Sequence, residues 1–233
     1  MPQREPLSPP LLTLAGVLAA APAAWIALAA DAATTAAAAS AAGFGVTGPK
    51  LGRAYLLTAG LQTSGTHAPA AWVLALLAGP VGSACLALAA HGLMQMVRGL
   101  AWLRVVILQW AAFATLRLPA LLIAAVLPAG RGPVDDLYGR LGDPESGRWA
   151  VALLALFALW GAGALVARLA LGVGRAWMRV DGHAFRRRLV GVVAGYPATA
   201  GLAAWSVLAP WAGPGWMAAW LVVTFGGLQL LAP

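Results

Sequence analysis

Long uncharged apolar runs constrain this chain more than any other feature of its sequence. Several reach about 20 residues, the length that an α-helix needs to cross a hydrocarbon core about 30 Å thick. Of the 233 residues, 61% are hydrophobic and 9% are charged, a composition that a water-soluble domain could not carry on its surface. The runs are rich in Ala and Leu and lack the alternation typical of membrane barrels. The sequence therefore predicts an all-α, polytopic transmembrane bundle in an integral membrane protein.

The apolar runs predict six spans, and a polar loop interrupts them after the first. The spans are expected at 11–30, 70–95, 101–127, 149–173, 188–210 and 215–231. The Ala-, Thr- and Ser-rich segment 32–42 would extend the first helix. The loop 47–68 holds a short apolar stretch between turn-forming residues, which predicts a short β-hairpin or a re-entrant loop. Residues 1–145 form a core of three spans, and 146–233 add three more.

The charge distribution predicts a lipid bilayer as the partner. The formal net charge is +8, and most of the Arg residues sit between apolar runs. Topology and anionic lipid explain this charge better than nucleic acid does, so no nucleic-acid partner is expected. A cytoplasmic basic loop at 175–188 would place the loops 44–69 and 128–148 outside. The bacterial cytoplasmic membrane is the expected location.

Cysteine and histidine are sparse, which excludes several kinds of site. The single Cys85 rules out a disulfide framework and is interpreted as a small buried packing residue. His67, His91 and His183 are dispersed without metal-ligand spacing, so they are expected to be interfacial or solvated. No Walker-type glycine loop, G-x-S-x-G motif or Cys-x-x-Cys pair is present.

Three short segments stand out from the apolar background. The first is Ala30-Asp31-Ala32-Ala33-Thr34, followed by Gly43-Phe44-Gly45-Val46. The second is Leu77-Ala78-Gly79-Pro80-Val81-Gly82-Ser83, in which Gly79 and Pro80 would allow close helix packing and a local bend. The third is Ala125-Val126-Leu127-Pro128, followed by Gly132-Pro133-Val134-Asp135-Asp136.

In order and spacing, these segments resemble the site-2 protease family of intramembrane zinc metalloproteases, over about residues 11–145. That family carries H-E-x-x-H on its first core helix, L-A-G-P-x-x-N on the second, and N-x-x-P followed by L-D-G after the third. The resemblance places Ala30 and Thr34 at the two His positions, four residues apart on one helix face. It places Asp31 at the position of the general base and Asp135 at that of the third metal ligand.

The chain departs from the family at the positions that carry chemistry. Ala30 cannot bind a metal, Thr34 is a poor zinc ligand, Ser83 replaces Asn and Asp136 replaces Gly. The resemblance therefore implies a degenerate site with no catalytic residue, no bound metal and no cofactor. Two simpler interpretations stay open: Asp31 ends a helix at the membrane interface, and the Asp pair belongs to a solvated loop.

Arg117 lies well inside the third apolar run, two residues before Pro119. An intramembrane Arg is costly unless it is paired or faces a cavity. We expect it to face the bundle and to contact carbonyl groups freed near Pro119. A structural role is favoured over a transport role.

The expected function is that of a non-catalytic relative of the family, which binds membrane segments of partner proteins. One alternative is an active, divergent metalloprotease that uses zinc with Asp31, Asp135 or Asp136 and a histidine. The other is a small permease or a transporter membrane subunit, with Arg117 lining an anion path.

Overall fold

The computed structural model describes residues 9–51, 57–62, 69–96, 101–126, 144–177 and 195–208. They form five helices and two strands. In chain order the elements are α1 (Pro9–Ala41), β1 (Gly45–Leu51), β2 (Leu57–Gln62), α2 (Pro69–Met96), α3 (Ala101–Val126), α4 (Pro144–Trp177) and α5 (Gly195–Leu208).

Four of the helices are long and apolar enough to cross a membrane. Their apolar stretches have mean hydropathies between 1.4 and 2.3 and are Leu14–Ala41, Leu77–Met96, Trp102–Ile123 and Trp149–Ala170. Helix α1 continues past the predicted end of the first span and has 33 residues, about 50 Å at 1.5 Å per residue. Helix α5 falls within the predicted fifth span, whereas the predicted sixth span lies outside the described residues.

Helix α1 ends in a glycine turn that leads into the strands. Gly43 has a positive φ of 81°, and the Phe44 amide donates to the Ala39 carbonyl at 2.9 Å. This left-handed glycine is a common way to satisfy the last carbonyl groups of a helix. Phe44 is buried against Ala39 and Ala75, so the turn is packed onto α1 and α2.

Strands β1 and β2 pair antiparallel next to this turn. Val46 lies opposite Leu61, and the pairing shifts between Thr47 and Pro49. The residues 52–56 between the strands, where the turn of the predicted hairpin would lie, are outside the described residues.

Helix α3 is the centre of the bundle, because it packs against α1, α2, α4 and α5. Phe113 and Leu116 on α3 are fully buried, and alanines dominate the core around them. Small side chains let helix backbones approach closely in a membrane, where apolar contact with lipid is as favourable as contact with protein.

Large apolar side chains cover the outer face of α4. They are all more than half exposed and are Trp149, Leu153, Leu154, Leu156, Phe157 and Trp160. Cys85 is also exposed, on the outer face of α2, so its interpretation as a buried packing residue is wrong. A cysteine on a helix that spans lipid has no need of burial, because its small side chain tolerates an apolar surrounding.

Candidate functional site

A polar cluster joins α1, α2 and α3 inside their apolar stretches. We use this name for Asp31, Thr34 and Thr35 on α1, Gly79 and Ser83 on α2, and Arg117 on α3. At its centre, the Arg117 guanidinium forms an ion pair with the Asp31 carboxylate through Nη1 and Oδ2. The two side chains are 15% and 9% exposed, so the pair is buried within the bundle.

The second oxygen of the Asp31 carboxylate is also engaged. The Thr35 hydroxyl, one turn later on α1, donates to Asp31 Oδ1 at 3.2 Å. Helix α2 closes the remaining side, because a Cβ atom added at Gly79 would overlap both Asp31 Oδ1 and Thr35 Oγ1. The carboxylate is thus held among a cation, a hydroxyl and a helix backbone.

Thr34 and Ser83 tie α1 to α2 on either side of this carboxylate. The Thr34 hydroxyl lies 2.8 Å from the Ala30 carbonyl and 3.1 Å from the Gly79 carbonyl. The Ser83 hydroxyl donates to the Ala27 carbonyl at 2.9 Å. Hydroxyl-to-carbonyl bonds of this kind hold membrane helices together at about 0.6 kcal/mol each.

The structure brings together most of the residues that the sequence singled out. Asp31, Thr34, Gly79, Ser83 and Arg117 all meet in the polar cluster. Ala30 contributes its carbonyl to that cluster, and Pro80 is buried in α2 beside it. The predicted positions Pro128, Asp135 and Asp136 lie outside the described residues.

One of the interpretations left open for Asp31 and one expectation for Arg117 are wrong. Asp31 does not end a helix at the interface, because α1 continues for ten further residues to Ala41 and the Asp31 side chain is buried. Arg117 faces the bundle as expected, but its partner is the Asp31 carboxylate rather than carbonyl groups near Pro119. A charged partner fits the burial, since a full charge needs more compensation than a dipole supplies.

A signal for this pairing exists in the sequence. Asp31 is the only acidic residue between Glu5 and Asp135, and Arg117 is the only charged residue between Arg104 and Arg131. A lone acid next to the first predicted span and a lone base well inside the third are natural partners, because each lowers the cost of holding the other in a membrane. The two residues are 86 positions apart, and only the packing of α1 against α3 brings them together.

Nothing else in the described part of the chain adds chemistry to the cluster. Among the described residues, no three His, Cys, Asp or Glu side chains come together as a metal site would require. His91 is buried rather than solvated, and its Nε2 lies 2.9 Å from Gln95 Nε2 in the next turn of α2. His67 and His183 lie outside the described residues.

A second contact, which the sequence does not predict, brings α1 against α5 and places one side chain of α3 beside them. We call it the glycine crossing and define it by Gly16, Gln109 and Gly195. A Cβ atom added at Gly195 would lie 2.7 Å from the Gly16 carbonyl carbon and oxygen and would overlap Gln109 Nε2. Gln109 is 1% exposed, so its amide fills the space beside the two backbones. The lone amide in the third apolar run was the available signal.

No family model, no curated protein and no solved structure matches this chain. The likeness to site-2 proteases therefore rests on the three sequence segments alone.

Proposed function

We propose that this chain is a non-catalytic integral membrane protein of the bacterial cytoplasmic membrane, which binds membrane segments of partner proteins. The observation that carries the proposal is the ion pair of Asp31 with Arg117. Asp31 stands where the resembled family has its general base, and here its carboxylate is committed to another helix.

The state of the carboxylate argues against hydrolysis. A general base must be within reach of a water molecule and free to take its proton. Asp31 instead shares its two oxygens between Arg117 and Thr35, and the Gly79 backbone closes the adjacent space. Thr34, at a position equivalent to a ligand, directs its hydroxyl to backbone carbonyls. These positions thus serve helix packing.

The strands supply a surface for an extended segment. An unwound segment at membrane depth needs hydrogen-bond partners for its backbone, and a strand edge can provide them. Among the described residues the sheet has only β1 and β2, so each of them has one edge without a neighbouring strand. The strands follow the end of α1, and Val46 on β1 is 39% exposed.

Cross-linking in reconstituted vesicles tests this binding. A photo-reactive amino acid replaces Val46, and a matched control replaces Phe157 on the exposed face of α4. Two single-span peptides are offered, one with a central Gly-Pro pair and one of uninterrupted Leu. We expect position 46 to cross-link the Gly-Pro peptide preferentially and position 157 to show no preference. Equal yields with both peptides at position 46 would remove the proposal.

The proposed topology has six spans, with the fifth and sixth at 188–210 and 215–231, and a hairpin within 47–68. The four helices of membrane length support the first part, and the antiparallel pairing of β1 with β2 supports the second. Accessibility of single cysteines placed in successive loops to a membrane-impermeant reagent tests the span count.

An active metalloprotease remains the enzymatic alternative. Metal analysis of the purified protein distinguishes it from the proposed function. Stoichiometric zinc that is lost in Asp135→Ala would favour the enzyme and overturn the non-catalytic proposal.

A permease is the second candidate, and one observation favours it. Charged residues within membrane spans often mark ion or substrate paths, and Asp31 and Arg117 are such residues. Uptake of inorganic anions such as phosphate by vesicles tests the idea with Arg117→Ala. Loss of anion flux in a variant that stays folded supports an anion path. Loss of flux because the variant protein fails to accumulate does not support it.

A further inference from the structure

Two contacts hold α3 at different depths in the bundle, one an ion pair and the other a close packing contact. Arg117 makes the ion pair in the polar cluster, and Gln109 lies in the glycine crossing. Eight residues separate them, which is about 12 Å along the helix axis. Both contacts occur together at one depth of α3, because each engages a residue of a neighbouring helix, Asp31 of α1 and Gly195 of α5.

The partners of Arg117 do not depend on it for their own positions. Helices α1 and α2 are joined by the bonds of Thr34 to Gly79 and of Ser83 to Ala27. Asp31 is additionally bonded to Thr35 within α1. The position of the Asp31 carboxylate is therefore fixed by contacts within and between α1 and α2, which do not involve α3.

Arg117 is close enough to one end of its span to be drawn towards it. It lies six residues before Ile123, where the apolar stretch of α3 ends, which is about 9 Å along the axis. An uncompensated Arg moves its guanidinium towards the interface, by extending its side chain or by shifting its helix.

We propose that the Asp31–Arg117 ion pair is a depth clamp, which holds α3 at the depth where Gln109 packs against Gly195 in the glycine crossing. Without the charge of Asp31, α3 moves by about one turn towards its Val126 end. That displacement carries Gln109 out of the glycine crossing, so loss of the clamp is felt at a contact about 12 Å away.

The clamp predicts an asymmetry between its two residues. Asp31→Asn leaves an uncompensated Arg on α3, so α3 shifts. Arg117→Met leaves α3 without the charge that would move it, so α3 stays at its depth. If the ion pair only added attraction between α1 and α3, both variants would loosen α3 to the same extent.

Disulfide formation between α1 and α3 reports the depth of α3 relative to α1 directly. In the described position, Val105 packs in one buried cluster with Ala19 and Ala23 of α1. A shift of one turn brings Val105 against Ala23 and Ala27. The two reporters are Ala19→Cys with Val105→Cys and Ala27→Cys with Val105→Cys, both in a Cys85→Ala background because Cys85 is the single cysteine.

In Asp31→Asn we expect the Ala19–Val105 disulfide yield to fall about tenfold and the Ala27–Val105 yield to rise. Arg117→Met and the double variant Asp31→Asn with Arg117→Met keep the pattern of the unchanged chain. An unaltered pattern in Asp31→Asn, or the same shift in Arg117→Met, would overturn the clamp.

Asp31→Asn can be tested even if it accumulates poorly in cells. Chains translated in vitro into membrane vesicles can be oxidised immediately after synthesis, before any degradation. The exchanged pair Asp31→Arg with Arg117→Asp provides a second check, because the clamp predicts that it keeps the Ala19–Val105 disulfide. If the exchanged pair shifts α3 as Asp31→Asn does, charge compensation does not set the depth.

Discussion

The polar cluster and the glycine crossing hold the same helix by opposite means. The cluster joins α3 to its neighbours with a buried ion pair and hydroxyl groups. At the crossing the Gln109 amide of α3 packs against Gly195 of α5, where two glycines let the backbones of α1 and α5 approach each other. In lipid, apolar attraction does not select one helix face over another, so both devices supply the specificity that a hydrophobic core supplies in water.

The polar cluster and the glycine crossing are sensitive to different substitutions. An ion pair fails when one partner loses its charge, since the other is then left buried and uncompensated. A backbone contact fails when a single methyl group is added. Single substitutions in the two regions therefore distinguish the loss of a charge from a steric overlap.

The largest effect is expected from Asp31→Ala in the polar cluster. The substitution leaves the buried Arg117 without its counter-charge and should lower the free energy of unfolding by about 3–5 kcal/mol. The matched control is Asp31→Asn with Arg117→Met, in which neither charge remains and most of the stability returns. The thermal midpoint in detergent measures both. A double variant as unstable as Asp31→Ala would show that the charges themselves are unimportant.

Gly79→Ala should have the next largest effect, because its methyl group would overlap the Asp31 carboxylate and the Thr35 hydroxyl. We expect a loss of about 1–3 kcal/mol. Gly92→Ala on the same helix is the control, since a Cβ there meets nothing within 4 Å. Equal thermal midpoints for the two variants would contradict the close approach of α2 to the carboxylate.

Gly195→Ala tests the glycine crossing, where the methyl group would meet the Gly16 backbone and the Gln109 amide. The expected loss is again about 1–3 kcal/mol, towards the lower end because the Gln109 side chain can move. Gly172→Ala in α4 has open space around its Cβ and serves as the control. Urea titration followed by tryptophan fluorescence compares them, and no difference between them would remove the crossing as a constraint.

Ser83→Ala should have the smallest effect. It removes one hydroxyl donor from the Ala27 carbonyl, and such bonds contribute about 0.6 kcal/mol in membrane proteins. The carbonyl keeps its bond within α1. Thermal midpoints should fall only slightly, and a loss as large as that of Gly79→Ala would mean that Ser83 does more than join two helices.

Much of the helical architecture could be predicted because span length follows from composition. Helices α2 and α3 begin and end within one residue of the predicted 70–95 and 101–127. The end of α1 was less certain, because the Ala- and Thr-rich segment after residue 30 is neither strongly apolar nor broken by Pro or Gly. The structure continues that helix to Ala41.

The sequence predicts the individual residues of the candidate site but not how they are arranged in space. Asp31, Gly79, Ser83 and Arg117 were each singled out, for reasons tied to their own segments. Their meeting depends on how α1, α2 and α3 are rotated about their axes, which apolar helices with little amphipathic character do not encode locally. The glycine crossing was missed for the same reason.

The amino-acid sequence by itself determined that this chain forms apolar helices of membrane length, and it placed Asp31 next to the first predicted span and Arg117 well inside the third. Only the tertiary structure decided that these two charges neutralise each other and that α1 and α5 meet through bare backbone beside the Gln109 side chain of α3. The physical reason is that length and hydropathy are sums along a segment, whereas pairing depends on the faces that packed helices present to one another.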